Sequence, residues 1–231
     1  MRETNRMRTQ VIIPAAGSGA RFNSDIPKPL ILLKGKEIIV YSLEVFDRCQ
    51  MVNGIVVVAP LEHCALFEEV IKKYPFKKSI KVVAGGHSRS ESVFNGLKTI
   101  DPNTDYVLVH DAARPLITLK VVEDSICACH VSKAIVVAVQ VKSTIKRTDP
   151  LTKDINATLD RNILWEAQTP QVFAYELLNQ AHQRGIGLEA TDDAFLVERY
   201  GAKVKIFEGE YRNIKITTPE DLKIAEVLLE K

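Results

Sequence analysis

The sequence has few of the features that mark secreted, membrane or nucleic-acid-binding proteins. Of its 231 residues only four are cysteine and one is tryptophan, and 31 basic residues nearly balance 29 acidic ones. A net charge of +2 excludes a generally basic surface for nucleic acid or lipid. No apolar run reaches the length of a membrane span, and the leader MRETNRMRTQ lacks an apolar signal core. We therefore expect a cytoplasmic protein that binds neither nucleic acid nor membrane.

The cysteines are too few and too irregularly spaced for a disulfide framework or a metal site. Cys127, Cys129 and His130 form a short cluster, but residues two apart on a helix face different directions. Cys49 and Cys64 stand alone. We therefore expect reduced thiols that pack as small apolar side chains, and no metal held by protein ligands alone.

The apolar content is sufficient for a substantial core. Hydrophobic residues make up 46% of the chain and charged residues 26%, which is typical of a soluble domain of enzyme size. The sequence has no internal repeat, no low-complexity tract and no convincing linker. One domain over residues 1–231 is the resulting prediction.

Short apolar runs alternate with amphipathic stretches through residues 10–141. The runs have the length and β-branched content of buried strands, and the stretches between them have helical periodicity. Such alternation predicts an α/β fold, with a Rossmann-like, mostly parallel twisted sheet and helices on both faces. Ligands of such sheets bind beyond the carboxyl ends of the strands. The strand-like runs are QVIIPA, GIVVVA, IKVVA, DYVLVH and AIVVAVQV.

The alternation breaks after Val141. Polar, β-leaning runs flank the turn-rich TDPLTKD, which predicts a projecting β-hairpin arm over about residues 141–162. Beyond the arm we expect a helix from Tyr175 to Arg184, a helix beginning at TDDAFLVERYG, the strand KVKIFEG and the strand-like RNIKIT. A last helix should begin at Thr218, which is a good N-cap residue before proline.

The loop after the first strand, residues 14–30, predicts a triphosphate site. Phe22 replaces the third glycine of a dinucleotide fingerprint, and no Walker motif is present. Small residues instead let main-chain N–H groups approach an anion, and Arg21 and Lys28 follow, with Pro29 biasing Lys28 toward an extended conformation. The alternative is an ordinary glycine-rich turn with two solvated charges. The small residues are Ala15, Ala16, Gly17, Ser18 and Gly19.

Two further segments follow predicted strands and therefore belong at the same sheet edge. GGHSRSESV contains Gly86, Arg89 and Ser92 at a helix start, which suits an anion or a nucleotide base. A plain N-cap at Ser88 or Ser90 explains the same residues. VLVHDAARPL contains Asp111, a candidate for magnesium or a ribose hydroxyl, whose alternative role is to pair with Arg114. His110, on the opposite side of that strand, is predicted to be structural.

With these segments in order, the chain resembles the family of 2-C-methyl-D-erythritol 4-phosphate cytidylyltransferases. Three later segments match that family's motifs: TLDRNILWEAQTPQVF, ATDDA and NIKITTPEDL. The match runs from about Val11 to Leu229. No single motif is specific, but the ordered set is.

The resemblance implies a nucleotidyltransferase that transfers CMP from CTP to 2-C-methyl-D-erythritol 4-phosphate and releases pyrophosphate. The product, 4-diphosphocytidyl-2-C-methyl-D-erythritol, is a precursor in non-mevalonate isoprenoid biosynthesis. The resemblance also implies Mg²⁺ or another divalent cation held mainly by the CTP phosphates. It further implies an obligate homodimer in which the arm, with Arg161, reaches into the neighbouring subunit.

The resemblance also assigns roles to individual residues. Because a phosphate attacks a phosphorus already surrounded by negative oxygens, catalysis needs cations and in-line positioning, and no general base. The catalytic cations are Arg21, Lys28, Arg161 and Lys215. The nucleotide-binding residues are Ala15, Ala16, Gly17, Ser18, Gly19, Gly86, Arg89, Ser92, Asp111 and Ala112. The acceptor-binding residues are Asp111, Arg114, Thr144, Arg161, Thr169, Thr191 and Lys215.

Several alternatives stay open on the sequence alone. Thr191 has a second possible role as a helix N-cap, with Asp192 and Asp193 in the first turn. A ribitol 5-phosphate cytidylyltransferase would share the loop, the arm and the cations. A catalytically silent nucleotide-binding module would keep the fold, but the presence of all four catalytic cations argues against it.

Overall fold

A computed structural model describes residues 7–17 and 26–230 of the chain. The predicted phosphate-binding residues Ser18, Gly19 and Arg21 lie outside the described residues. The strands of the described part are β1 (Thr9–Pro14), β2 (Leu32–Leu33), β3 (Lys36–Glu37), β4 (Val52–Ala59), β5 (Ile80–Ala84), β6 (Tyr106–Val109), β7 (Ala134–Gln140), β8 (Lys146–Thr148), β9 (Ile155–Thr158), β10 (Trp165–Ala174) and β11 (Lys205–Glu208).

The helices of the same residues follow the predicted order. Thr218 caps the last helix through a capping box with Asp221, and Pro219 occupies its first position, as predicted. The helices are α1 (Ile38–Arg48), α2 (Cys64–Lys72), α3 (Arg89–Leu97), α4 (Leu119–Ser132), α5 (Tyr175–Arg184), α6 (Asp193–Arg199) and α7 (Pro219–Leu229).

Seven strands form one mostly parallel sheet in the order β11-β7-β10-β6-β1-β4-β5. The pairs of β1 with β4 and β6, of β4 with β5, and of β7 with β11 are parallel. β10 is antiparallel to both of its neighbours, β6 and β7. The predicted α/β class is confirmed, but sequence analysis missed β10, whose polar first half and internal proline conceal the apolar pattern of a strand.

Helices cover both faces of the sheet, as predicted. Successive residues of β1 point to opposite faces, so Val11 packs in one core cluster and Ile12 in another. The first cluster also contains Phe46 of α1 and Ile126 of α4. The second contains Leu97 of α3, together with apolar residues of α5 and α6. The sheet is therefore buried on both sides, and its ligands can reach only an edge.

The predicted arm appears as a separate two-stranded hairpin. β8 and β9 pair antiparallel, with Lys146 opposite Thr158, and most of their residues are exposed. The strand-like RNIKIT is not a strand. Its Ile216 N–H donates to the Ala113 carbonyl, and its Ile214 N–H donates within the segment to Arg212. Because these N–H groups already have partners in loops, they are not available to the ladder of a sheet.

The expectations drawn from cysteine content and hydropathy are partly met. All four cysteines are free. Cys129 is buried in the core, but Cys127 is exposed, so the expectation that it packs internally was wrong because it lies on the outer side of α4. Among the described residues, no helix is long and apolar enough to cross a membrane.

The sheet brings three loops together at its carboxyl edge. β1 lies between β4 and β6. The chain passes from β1 to β4 on one side, and it reaches β6 on the other side only later in the sequence. Main-chain hydrogen bonds continue the pairing past the strand ends, from Ala15 N–H to the Val58 carbonyl and from Gly85 N–H to the Ala59 carbonyl. Ligands bind at such a topological switch point.

Candidate active site

A cleft of about 330 Å³ opens at this edge, beyond β1, β5 and β6. Its walls come from the three loops that sequence analysis singled out, together with the segment before α7. The sheet thus brings together predicted residues that are far apart in the sequence. Those that line the cleft are Ala15, Ala16, Gly17, Lys28, Gly86, Arg89, Ser92, Asp111, Ala112 and Lys215.

Glycine is required where the first two loops meet. A Cβ atom on Gly85 would lie 2.6 Å from the Ala16 side chain and 2.9 Å from the Ser92 hydroxyl. A Cβ atom on Gly86 would overlap the Glu91 side chain. The two glycines therefore permit the close approach of loop to loop that shapes this wall of the cleft.

The start of α3 uses most of its polar groups internally. Ser88 is the N-cap, because its hydroxyl accepts from the Glu91 N–H at 3.0 Å. The Gly86 N–H donates to the Ser92 hydroxyl at 3.1 Å, and the His87 N–H donates to the Glu91 carboxylate at 2.8 Å. The N-cap interpretation is therefore correct for Ser88. The loop has a fixed shape, and its cation toward the cleft is Arg89.

Asp111 is the centre of a buried charge cluster. Its carboxylate lies 2.9 Å from Lys215 Nζ, 3.5 Å from Arg89 Nε and 3.5 Å from Arg114 Nε. Burial alone would raise the pKa of Asp111, but Arg89, Lys215 and Arg114 together hold it well below its usual range. The predicted pair with Arg114 is present, as part of a larger arrangement that keeps Asp111 ionised.

Lys28 lies on the opposite wall and contacts the segment that carries Lys215. The Lys28 ammonium donates to the Ile216 carbonyl at 2.8 Å. Lys28 opens a 3-10 turn, closed by Leu30 N–H to the Pro27 carbonyl, so the extended conformation predicted for it was wrong. These local hydrogen bonds outweigh the steric bias from Pro29. Two ammonium groups thus converge on one cleft.

A second, polar pocket of about 210 Å³ adjoins the cleft. Arg114, Thr169 and Thr191, which sequence analysis assigned to the acceptor, line it. Arg89, Asp111 and Lys215 line both cavities and form the wall between them. The arrangement offers two neighbouring subsites with charged side chains at their boundary.

A fully buried histidine supports this wall. The Thr169 hydroxyl accepts from the Asp111 N–H at 3.0 Å and lies 3.0 Å from His110 Nδ1. His110 Nε2 lies 3.1 Å from the Arg114 carbonyl, which can only accept, so Nε2 carries the proton and Nδ1 accepts from Thr169. Burial lowers the pKa of His110 to about 4. The prediction of a structural His110 agrees with this environment, which also keeps the imidazole neutral.

Sequence reasoning missed three buried amide side chains that build the second pocket. The Asn213 side chain donates to the Thr169 carbonyl at 2.8 Å, and the Asn213 main-chain carbonyl accepts from Arg114 at 2.8 Å. Gln171 accepts from the N–H groups of Asp193 and Ala194. Gln168 accepts from Asn213 at 3.3 Å. Isolated amides in segments without periodicity carry no sequence signal, so only the fold reveals them.

The two predicted site residues of the arm lie elsewhere. Arg161 lines a separate cavity of about 300 Å³ with Lys142 and Tyr211, and its guanidinium donates to the Lys142 carbonyl at 2.9 Å. Thr144 is exposed in the loop before β8. Within the described part of this chain, neither residue lines the cleft or the second pocket.

Thr191 and the start of α6 require a correction. The N-cap of α6 is Asp192, whose carboxylate accepts from the Phe195 N–H at 2.9 Å. The alternative role of Thr191 as the cap was therefore wrong, because the helix begins one residue later. Thr191 is exposed and faces the second pocket.

Comparisons with known proteins agree with this geometry. A profile of the family described as IspD, 2-C-methyl-D-erythritol 4-phosphate cytidylyltransferase, matches residues 9–231. Proteins of that name from Clostridioides difficile strain 630 and Caldanaerobacter subterraneus subsp. tengcongensis are 46% and 42% identical to this chain. The matches cover 95% and 97% of this chain, and 92% and 100% of those proteins.

A solved structure extends the agreement to the fold. The crystal structure of 4-diphosphocytidyl-2C-methyl-D-erythritol synthase from Anaerococcus prevotii DSM 20548 superposes with a TM-score of 0.86 at 31% identity, covering 97% of each chain. The family match covers nearly the whole sequence, and the shared fold covers the same length. The chain belongs to the 2-C-methyl-D-erythritol 4-phosphate cytidylyltransferase family.

Proposed function

We propose that the cleft binds CTP and that the adjoining pocket binds 2-C-methyl-D-erythritol 4-phosphate. The enzyme is a cytidylyltransferase by family. It transfers CMP to the acceptor phosphate, releases pyrophosphate and forms 4-diphosphocytidyl-2-C-methyl-D-erythritol. The observation that carries the proposal is the shared wall, because Arg89, Asp111 and Lys215 line both cavities. Two substrates bound on either side of one wall can bring their phosphates into contact.

The charges of the site suit the attack of one phosphate on another. The acceptor phosphate is a nucleophile without help from a base, since its second pKa is about 6. Lys28 and Lys215 both line the cleft and can neutralise the charge that develops at the α-phosphorus. Arg114, buried against the second pocket, supplies a further cation for the acceptor. Positioning and charge neutralisation then account for the rate.

The donor set fits a divalent cation held mainly by the nucleotide. Among the described residues, no group of three or more His, Cys, Asp or Glu side chains could hold a metal. Asp111 is the carboxylate that lines the cleft, and Mg²⁺ commonly takes one carboxylate together with phosphate oxygens. Asp111 would help to hold such an ion there, and the ion would supply positive charge to the phosphate groups of the nucleotide.

The exposed arm supports a homodimer. Arg161 and Thr144 lie outside both subsites of their own chain, and Arg161 sits beside a cavity at the base of the arm. Apolar side chains of the same region are exposed, among them Ile163 and Leu151, which a partner subunit would cover. We propose that each arm inserts Arg161 toward the acceptor pocket of the neighbouring subunit.

Methylerythritol phosphate is the acceptor that we favour over ribitol 5-phosphate. The relatives compared above are named for methylerythritol phosphate. Lys28 and Lys215 both reach the cleft, which argues against a catalytically silent module.

The test is pyrophosphate release with CTP and Mg²⁺, comparing 2-C-methyl-D-erythritol 4-phosphate with ribitol 5-phosphate. UTP and ATP serve as nucleotide controls, and omission of either substrate gives the background. Release with CTP and methylerythritol phosphate alone is the expected result. A preference for ribitol 5-phosphate would support the cytidylyl transfer but contradict the proposed acceptor. CTP binding without turnover on either acceptor would contradict the proposed enzymatic activity.

A further inference from the structure

The wall between the two subsites is held from behind by a buried carboxylate. The side chain of Asp193, the first residue of α6, is only 1% exposed, and it lines neither cavity. Its Oδ2 accepts from the Arg89 guanidinium at 2.7 Å. Arg89, the first residue of α3, in turn forms part of the wall. A residue without access to substrate can thus act on both subsites through one contact.

Each oxygen of the Asp193 carboxylate has a partner on another helix, and the Asp193 main chain is bonded to β10. Its second oxygen, Oδ1, lies 2.9 Å from His182 Nε2 on α5. An ionised carboxylate can only accept, so His182 donates through Nε2. The Asp193 N–H donates to Gln171 of β10 at 3.2 Å. Although burial opposes ionisation, Arg89 and then His182 lower the pKa of Asp193 below its ordinary value. The carboxylate is therefore a fixed anionic anchor.

The distances identify Asp193 as the primary partner of Arg89. The guanidinium is 2.7 Å from Asp193 but 3.5 Å from the Asp111 carboxylate. Asp111 therefore has its shortest contact with Lys215, at 2.9 Å. If the charge of Asp193 were removed, the guanidinium would be attracted to Asp111, the remaining carboxylate. That movement would occupy the Asp111 oxygens and compete with Lys215 at the boundary of the subsites.

We infer that Asp193, held by His182, is a positioning residue that keeps the Arg89 guanidinium from closing further on Asp111 than its present 3.5 Å and so keeps the shared wall open to both substrates. The inference rests on the proposed function for the identity of the substrates. The position of the Arg89 guanidinium, which the inference explains, does not depend on which substrates bind. Asp193 does not touch the reacting atoms and takes no part in the chemical step.

The first test is the variant Asp193→Asn, which removes the charge and keeps the size of the side chain. We expect the KM for the acceptor and the dissociation constant for CTP to rise about tenfold, with a smaller change in kcat. Steady-state kinetics and calorimetric titration with CTP and Mg²⁺ measure these quantities. Unchanged KM and CTP affinity would overturn the inference.

A double-mutant cycle separates positioning from a general effect on folding. If Asp193 acts through Arg89, the Asp193→Asn change has little further effect in an Arg89→Ala background. Additive losses would overturn the inference. Glu37→Gln is the matched control, because Glu37 is also a buried carboxylate, bonded to Tyr74 and Lys73, and lines none of the three cavities. It is expected to lower stability without changing either substrate constant.

Two further measurements keep the inference testable under other outcomes. If Asp193→Asn does not fold, Arg89→Lys serves instead, because one ammonium cannot contact both carboxylates as a guanidinium does. Arg89→Lys should raise the KM for the acceptor and the dissociation constant for CTP. Values equal to those of the wild type would overturn the inference. A crystal structure of Asp193→Asn should place Arg89 about 3 Å from Asp111. A separation still at 3.5 Å would overturn the inference even if the enzyme proved to use another acceptor.

Discussion

The cleft and the arm contain the same kind of residue in opposite environments. Asp111 is 8% exposed and contacts three cations, and Arg114 is 6% exposed. Arg161 is exposed, and its hydrogen bond in the described chain goes to one main-chain carbonyl. The fold of one subunit therefore fixes the charges of the cleft. The charge of the arm is held by a hydrogen bond within the arm, and in the proposed dimer it is directed to a surface of the neighbouring subunit.

The largest effect should come from the cleft. Lys28→Ala should lower kcat by about two orders of magnitude or more, because it removes a preorganised donor to the transition state. Pyrophosphate release at saturating substrate measures the rate, and thermal unfolding measures stability, which should change little. Lys36→Ala is the matched control, since Lys36 pairs with Glu44 and lines none of the cavities. A wild-type rate for Lys28→Ala would make Lys28 a loop charge without a catalytic role.

The next effect tests whether the arm acts on another subunit. Arg161→Ala should lower kcat/KM for the acceptor by about fiftyfold and leave CTP binding unchanged, because the lost contact is to the acceptor phosphate. Calorimetric titration with CTP and acceptor-dependent kinetics separate the two. An equal loss of CTP affinity would contradict this role.

Mixed dimers sharpen the comparison between the two regions. Lys28→Ala and Arg161→Ala subunits, exchanged together, should regain about a quarter of the wild-type rate, because half the dimers then contain one intact shared site. If both residues act within one subunit, mixing restores nothing. Sedimentation of a fully active monomer would also contradict the shared site.

The smallest expected effect is the pH dependence of the unfolding free energy, and it comes from His110 behind the wall of the cleft. The pKa of His110 is lowered to about 4 from 6.5, so the unfolded chain binds a proton that the folded chain does not. Stability is therefore complete above the unfolded value and falls with the pH below it, by about 2 kcal/mol from about pH 7 to about pH 5. Denaturant unfolding at several pH values measures this loss.

The His110→Gln variant isolates this contribution. Glutamine can donate to the Arg114 carbonyl and accept from Thr169, as His110 does, but it does not titrate. Its unfolding free energy should depend less on pH over the same range. The arm, over residues 141–162, has no histidine. A pH dependence of the unfolding free energy that comes from histidine therefore arises outside the arm. An identical slope in the variant would assign the titration to another group.

Much of the fold could be predicted because its signals are local. The periodicity of apolar residues predicted the helix Tyr175–Arg184 at its observed bounds, and the Thr218 cap predicted the start of α7. The missed strand β10 has its continuous apolar run, Val172 to Ala174, only at its end and lies antiparallel in the centre of the sheet. Its burial comes from neighbours on both sides, which no local pattern encodes.

The candidate site was predictable to the extent that its residues have distinctive chemistry. Glycines and cations after strands pointed to Gly86 and Lys28, the family resemblance pointed to Lys215, and all three line the cleft. The supporting residues His182, Asp193 and Asn213 were not predicted to be partners of that site. A buried carboxylate or amide gains its role from the group that it contacts, and that group is distant in the sequence.

The sequence by itself determined the order of strands and helices and the supply of cations at the loops, because periodicity and loop composition act over a few residues. Only the tertiary structure decided which charges meet. Arg89 contacts Asp193 across 104 residues, and Lys28 contacts the Ile216 carbonyl across 188. Such contacts form because the parallel sheet places successive strand ends at one edge, where burial makes each unpaired charge costly and each paired one fixed.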